Sequence, residues 1–77
     1  MARSPQVEHV MQFFVYEHLP SHLQKASKPF ADMAEHIASL GDNPEITVAL
    51  RKLLEAKDAA VRGLVVESQK STEEGPR

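Results

Sequence analysis

The pattern of hydrophobic and polar positions along the 77-residue chain predicts three helical segments, which prolines and glycines separate. The first segment begins with Ser4 and Pro5, a pair typical of an N-cap followed by proline at the first helical position. We expect it to run toward Tyr16 and to end before Pro20. Its larger apolar residues cover more than one face: Val7, Val10, Met11, Phe13, Phe14 and Val15. Because a lone surface helix would expose part of that set, we expect the segment to insert between other helices or between subunits.

The second segment covers about residues 20–40 and contains Pro29 in its interior, which predicts a kinked or two-part helix. Its apolar stripe has three- and four-residue spacing and consists of Leu23, Phe30, Met33, Ala34, Ile37 and Leu40. Gly41 then marks the predicted end of the helix, because glycine is favoured just beyond a helix C-terminus.

The third segment is predicted as a helix over about residues 44–66, with a cap, a first-turn proline and a first-turn acid supplied by residues 42–45. The predicted buried side consists of Ile46, Ala49, Leu50, Leu53, Leu54, Val61, Leu64 and Val65. A second stripe of small residues, along which another backbone could approach closely, consists of Ala49, Ala56, Ala60 and Gly63. Residues 67–77 contain no apolar side chain, so we expect a disordered tail after a single domain over residues 1–66.

The predicted fold class is therefore all-α: a short N-terminal helix followed by an antiparallel helical hairpin whose first arm is kinked at Pro29. A chain this short usually gains stability from a disulfide, a metal or a partner subunit, and this one has no cysteine. We therefore expect the hairpin to assemble into a homo-oligomer.

Charge and hydropathy narrow the range of partners. Nine Lys and Arg stand against eleven Asp and Glu, a balance that disfavours a protein coating long nucleic acid but allows a small anionic ligand held by a few cations. No apolar stretch approaches the roughly 20 residues that span a bilayer, and no signal-peptide pattern is present. We expect no membrane partner and a cytoplasmic location.

Catalytic and metal-binding motifs are absent from the sequence. There is no glycine-rich phosphate loop, no Ser/His/Asp order and no His-Glu-x-x-His pattern, so we expect no enzyme. His18 and His22 are four residues apart, but Pro20 lies between them and no nearby acid or cysteine completes a ligand set. We therefore expect neither a metal nor another cofactor.

Tyr16 and the residues around Ser27 are the candidate ligand contacts, and each has two interpretations. Tyr16 could half-bury its ring in the core, or its ring could stack on a nucleobase. Lys25 and Lys28 bracket Ser27, and Lys28 precedes Pro29, where we expect a fresh helical turn. A cation, a hydroxyl and free backbone N–H groups could there converge on a phosphate, although surface lysines are also common.

Two cations of the third segment also stand out. Lys57 falls on the apolar side of the predicted helix and needs a partner, by snorkelling to the edge or by pairing with an acid such as Asp58 of another subunit. Arg62 follows Asp58 at the favourable four-residue spacing, and it could instead point to an anion at an oligomer axis.

Four stretches together carry a family resemblance: Phe-Val-Tyr at 14–16, His-Leu-Pro at 18–20, Ser-Lys-Pro-Phe at 27–30, and the helical segment 49–62. Over about residues 10–66 the chain resembles the helical-hairpin family of phage anti-CBASS sponge proteins, a hairpin that is similar to one in anti-Thoeris sponges. The resemblance implies a non-enzymatic homo-hexamer that sequesters cyclic oligonucleotide immune signals, such as cyclic GMP-AMP, in the cytoplasm of the infected bacterial host.

The resemblance also implies roles for particular residues. In that family a tyrosine near the end of the N-terminal segment stacks on a base, and a lysine at the start of the following helix meets the phosphates. These roles fall on Tyr16 and on Lys28, with Lys25 as the second choice for the lysine. Some relatives hold cyclic trinucleotides in a separate site near the hexamer's threefold axis, for which Arg62 is the candidate here without a matching motif.

An alternative from another functional class stays open. The same helices could form a small oligomeric module for protein–protein interaction, with Tyr16 buried in the core. A DNA-binding regulator is disfavoured because the third segment mixes basic residues with Glu55 and Asp58 and makes no basic stripe.

Overall fold

Three α-helices and one 3-10 turn make up the fold in the computed structural model, which describes residues 3–72. Helix α1 is Pro5–Met11, the 3-10 turn is Gln12–Phe14, α2 is Ser21–Leu40 and α3 is Pro44–Thr72. There is no strand among these residues, so the predicted all-α class is confirmed.

Helix α1 begins as its sequence predicts and ends earlier. The Ser4 side chain accepts a hydrogen bond from the Val7 amide at 3.3 Å, and Pro5 occupies the first turn. The helix ends at Met11, tightens into the 3-10 turn, and the backbone is extended at Val15 with φ −63° and ψ 132°. The expected continuation toward Tyr16 was wrong, and Tyr16 lies instead in a non-helical connection to α2.

Helix α2 is one continuous helix with Pro29 in its interior, so the two-part alternative was wrong. The missing proline N–H removes one main-chain hydrogen bond, to the carbonyl of Lys25, and packing of α2 along α3 sustains the helix across the gap. The helix ends at Leu40 as predicted, but Gly41 has extended backbone with φ 165°, which any residue adopts.

Helix α3 begins with the predicted cap and ends later than predicted. The Asn43 side-chain oxygen accepts hydrogen bonds from the amides of Glu45 and Ile46, at 3.0 and 3.1 Å. The three-residue connection 41–43 turns the chain back, so α2 and α3 form a helical hairpin. The helix reaches Thr72, so residues 67–72 of the predicted disordered tail are helical, whereas 73–77 lie outside the described residues.

The core lies where the N-terminal segment packs on the hairpin. Its buried apolar residues are Val7, Val10, Met11 and Phe14 from that segment, with Ala34 of α2 and Leu50 of α3. The predicted insertion of the N-terminal segment between other helices therefore holds for one of its faces. Val65, predicted on the buried side of α3, is 40% exposed, and Met33 and Leu40 of the apolar stripe of α2 are 48% and 63% exposed.

Candidate functional site

A shallow groove lies between the N-terminal segment and α2. It encloses about 270 Å³, and it is lined by Met11, Phe14, Val15, Tyr16 and Glu17 on one side and by Ala31, Asp32 and Glu35 on the other. The inner wall is apolar because Met11 and Phe14 belong to the core, and the outer rim carries carboxylates. We refer to it below as the Tyr16 groove.

Tyr16 is partly buried and sits on a tight turn. Its carbonyl accepts a hydrogen bond from the Leu19 amide at 3.0 Å, which closes the turn. The side-chain amide of Gln24 donates to the carbonyls of Glu17 and Leu19, at 3.1 and 2.7 Å, and so fixes the turn to the first turns of α2. Tyr16 lines the groove and keeps part of its surface accessible, which lies between the two interpretations drawn from the sequence.

Lys57 lies close behind the groove. Its ammonium donates a hydrogen bond to the carbonyl of Phe13 at 2.7 Å and lies 5.9 Å from the centre of the Phe14 ring. Its side chain is only 14% exposed, and its charge is balanced by Asp58 of the same chain at 3.6 Å. The expectation that Lys57 needs a partner is confirmed, and the acid comes from within the chain.

Lys28 lies near Tyr16 and is held by a carboxylate. The Lys28 ammonium is 2.8 Å from Asp32, one helical turn further along α2. The hydrogen bond that the Lys28 ammonium donates to Asp32 and the negative charge of that carboxylate raise the pKa of Lys28, and the Tyr16 side chain adds to the increase, against an opposing effect of desolvation. Lys28 is therefore within electrostatic reach of Tyr16, the other residue that the sequence singled out, and its partner Asp32 lines the Tyr16 groove.

The expected helix start at Lys28 was wrong. Lys28 lies in the middle of α2, where main-chain N–H groups serve the helix itself, so no free amides accompany the lysine. Any phosphate contact at this position depends on the side chain alone.

Ser27 and Lys25 differ sharply in accessibility. Ser27 is 1% exposed, and the described residues supply no hydrogen-bond partner for its hydroxyl. This burial is at odds with the predicted contact between that hydroxyl and a phosphate. Lys25, in contrast, is exposed and forms no ion pair with another described residue.

Arg62 is exposed on α3 and does not line the Tyr16 groove. The ion pair described for Asp58 is with Lys57 instead of Arg62. Arg62 is thus separate from the tyrosine and the lysine that the sequence grouped with it as ligand contacts.

Carboxylates at the groove were missed by the sequence reasoning. Asp32 pairs with Lys28, and Glu35 pairs with Arg3. The four-residue spacing of Lys28 and Asp32 was a readable signal, whereas Arg3 and Glu35 are 32 residues apart and only the fold joins them. Gln24 was missed too, because its contacts are with main-chain carbonyls.

Metal binding finds no support within residues 3–72, where no group of three or more histidines and acids is close enough to hold an ion. His18 and His22 are both exposed. The chemistry that the groove offers is that of an aromatic surface with a cation and carboxylates beside it.

Across the part of the chain that the structure describes, no helix has the length and apolar content that crossing a bilayer requires. Comparison of the chain with protein-family models, with curated proteins and with solved structures found no match.

Proposed function

We propose that this protein is a phage anti-defence sponge, which binds cyclic dinucleotide immune signals and sequesters them without cleavage. The observation that carries the proposal is a partly exposed aromatic residue, Tyr16, in the groove, together with Lys28, a cation beside the groove that pairs with the groove residue Asp32. The sequence resemblance to the anti-CBASS sponge family supports the same assignment for both residues.

Stacking and charge supply the binding energy in this proposal. A base that stacks on an aromatic ring gains roughly 1–3 kcal/mol, and Tyr16 offers such a ring at the groove wall. The Lys28 ammonium binds a phosphodiester oxygen by exchanging its partner Asp32, and the exposed Lys25 adds charge one turn earlier. Neither step breaks a bond in the ligand, so the protein acts by tight binding alone.

A homo-oligomer completes the site. The Tyr16 groove encloses about 270 Å³, slightly less than the roughly 300–1,000 Å³ of small-molecule sites, and it is open to one side. A two-fold pair of subunits would present two rings and two lysines around a ligand that is itself nearly two-fold symmetric. The exposed apolar side chain of Val15, which lines the groove, is suited to the contact between subunits. By its resemblance the assembly is a hexamer, acting in the cytoplasm of the infected bacterium.

Recovery of the ligand tests the proposal directly. Cyclic GMP-AMP is mixed with the protein, the protein is digested with protease, and the released nucleotide is analysed by chromatography. Intact ligand supports a sponge, whereas a linear product indicates a phosphodiesterase, and free ligand before digestion contradicts binding.

A matched pair of variants tests the site. Tyr16→Leu removes the stacking surface and should weaken binding by at least about tenfold, whereas Tyr16→Phe should retain it. Phe13→Leu is the control, because Phe13 is an aromatic of the same segment that is 47% exposed and does not line the groove. Equal affinities of the Tyr16→Leu and Phe13→Leu variants would contradict the proposed site.

The second candidate function is a module for protein–protein interaction. It is favoured by apolar side chains left uncovered on α3, with Val48 47% and Val66 47% exposed. In that case Tyr16→Leu should lower thermal stability or partner binding, and no cyclic nucleotide should bind to the unmodified protein.

A further inference from the structure

We infer that Lys57 and Gln24 are positioning residues for Tyr16, holding the segment that carries its ring from two sides through main-chain carbonyls. The role of this positioning in ligand binding rests on the proposed function. The positioning of the ring itself can be measured without any ligand.

The first contact fixes the start of the segment. Phe13 belongs to the 3-10 turn just before Val15, so its carbonyl has no helical partner further along the chain. The Lys57 ammonium reaches it from α3, 44 residues away in sequence, with a charge-assisted hydrogen bond of 2.7 Å. A cation that is 14% exposed and packed beside Phe14 has few alternative conformations, so the contact is a rigid one.

The second contact fixes the end of the segment. The Gln24 amide nitrogen has two N–H groups and two carbonyl partners, Glu17 and Leu19, on either side of His18. These bonds lock the turn that the Tyr16 carbonyl closes with the Leu19 amide. The position of Gln24 on α2 ties this end to the same helix that carries Lys28.

Tyr16 therefore lies between two anchors in a stretch without regular secondary structure. No α-helical hydrogen bonding sets its backbone, because the chain leaves the 3-10 turn at Val15 and α2 begins at Ser21. A ring that is held in place before a ligand arrives loses less conformational entropy on binding, so the anchors should act on affinity.

Tyrosine fluorescence gives the direct test, since the chain has one tyrosine and no tryptophan and its emission reports on Tyr16 alone. Lys57→Met and Gln24→Leu each remove a donor and keep an apolar side chain of similar length. The matched controls, Lys52→Met and Gln69→Leu, make the same changes at exposed positions of α3. All variants are compared at a temperature where circular dichroism shows unchanged helix content.

We expect acrylamide to quench the fluorescence of Tyr16 more strongly in the Lys57→Met and Gln24→Leu proteins than in the unmodified protein. In both controls the quenching should equal that of the unmodified protein. Cyclic GMP-AMP should bind about tenfold more weakly to Lys57→Met and to Gln24→Leu. Lys57→Arg, which retains a cationic donor, should restore both readouts. Should Lys57→Met fail to fold, Gln24→Leu still decides the question, because Gln24 is not a core residue.

Unchanged quenching in both the Lys57→Met and the Gln24→Leu protein would overturn the inference. If the unmodified protein binds the ligand, stronger quenching in these variants with unchanged ligand affinity would overturn it as well. If the unmodified protein binds no cyclic dinucleotide and quenching still rises in the two variants, the proposed function fails and the positioning of Tyr16 stands. The two failures are therefore distinguishable.

Discussion

Lys28 and Asp32 lie one turn apart on α2, with the ammonium and carboxylate 2.8 Å from each other, so the cation assigned to phosphate already has an anionic partner. A phosphodiester must compete with that carboxylate. The pair is exposed to solvent, and such pairs contribute little to stability, so the exchange has a modest cost.

Asp32→Asn should therefore strengthen binding of cyclic GMP-AMP. Because the competing carboxylate is exposed, we expect a gain of at most about fivefold in Kd, measured by calorimetry. Glu35→Gln is the control, because it removes a charge from the same groove but its partner is Arg3. Equal gains in ligand affinity in both variants would indicate a general effect of removing negative charge from the groove, instead of the release of Lys28 from Asp32.

The raised pKa of Lys28 sets a pH dependence of stability. The folded state holds the proton more tightly than the unfolded state, whose value is near 10.5. The contribution of the pair is therefore fully present below the unfolded pKa and is lost as pH rises through the higher folded pKa. The difference in unfolding midpoint between the unmodified protein and Lys28→Met should be constant from neutral pH to about pH 9, and should shrink above the unfolded value.

Lys25→Met serves as the control for that titration, since Lys25 lies on the same helix and forms no ion pair with another described residue. The difference in unfolding midpoint between Lys25→Met and the unmodified protein should show no matching decrease at alkaline pH. If the difference in unfolding midpoint between the unmodified protein and Lys28→Met grew as the pH became alkaline, it would contradict the upward shift assigned to the pKa of Lys28.

Ser27→Ala should stabilise the protein. The substitution removes a buried hydroxyl without a described partner and places a better helix former in α2, so the free energy of unfolding should rise by about 1 kcal/mol in denaturant titration. Ser39→Ala is the comparison, because the exposed Ser39 hydroxyl donates to the His36 carbonyl at 2.6 Å. If Ser27→Ala instead weakened ligand binding without changing stability, the result would support the contact between the Ser27 hydroxyl and a phosphate that was inferred from the sequence.

Arg62→Gln separates the two ligand classes. Arg62 is remote from the lining of the Tyr16 groove, so the Kd for a cyclic dinucleotide should not change. If a distinct cyclic trinucleotide site exists, affinity for that ligand should fall by about tenfold. Arg51→Gln, also exposed on α3, should affect neither ligand. A parallel loss of both affinities on changing Arg62 would mean a single shared site.

Helix starts were predictable from sequence because they depend on neighbouring residues. Ser4 with Pro5 and Asn43 with Pro44 each bring a cap and a first-turn proline together within two positions. The end of the first helix was not predictable, because Lys57 holds the Phe13 carbonyl of the 3-10 turn from a distant part of the chain. The end of α3 was missed for another reason: a polar composition suggested a disordered tail, but no proline or glycine interrupts residues 67–72.

The candidate site was only partly predictable. Tyr16 and Lys28 were named from their types and spacing; Tyr16 lines the groove, and Lys28 pairs with Asp32 at its rim. The burial of Ser27 could not be read locally, since it lies beside two exposed residues, Lys28 and Pro29, and follows the partly buried Ala26. Glu35 and Gln24 gain their roles from contacts that only the folded chain provides.

The amide of Ser4 donates to the Asp42 carboxylate at 3.1 Å, across 38 residues, so the cap that starts α1 is itself fastened to the bend between α2 and α3. The docked position of the first helix thus depends on the closed hairpin. A protease that cuts near the beginning of the chain would accordingly report whether that distant bend is intact.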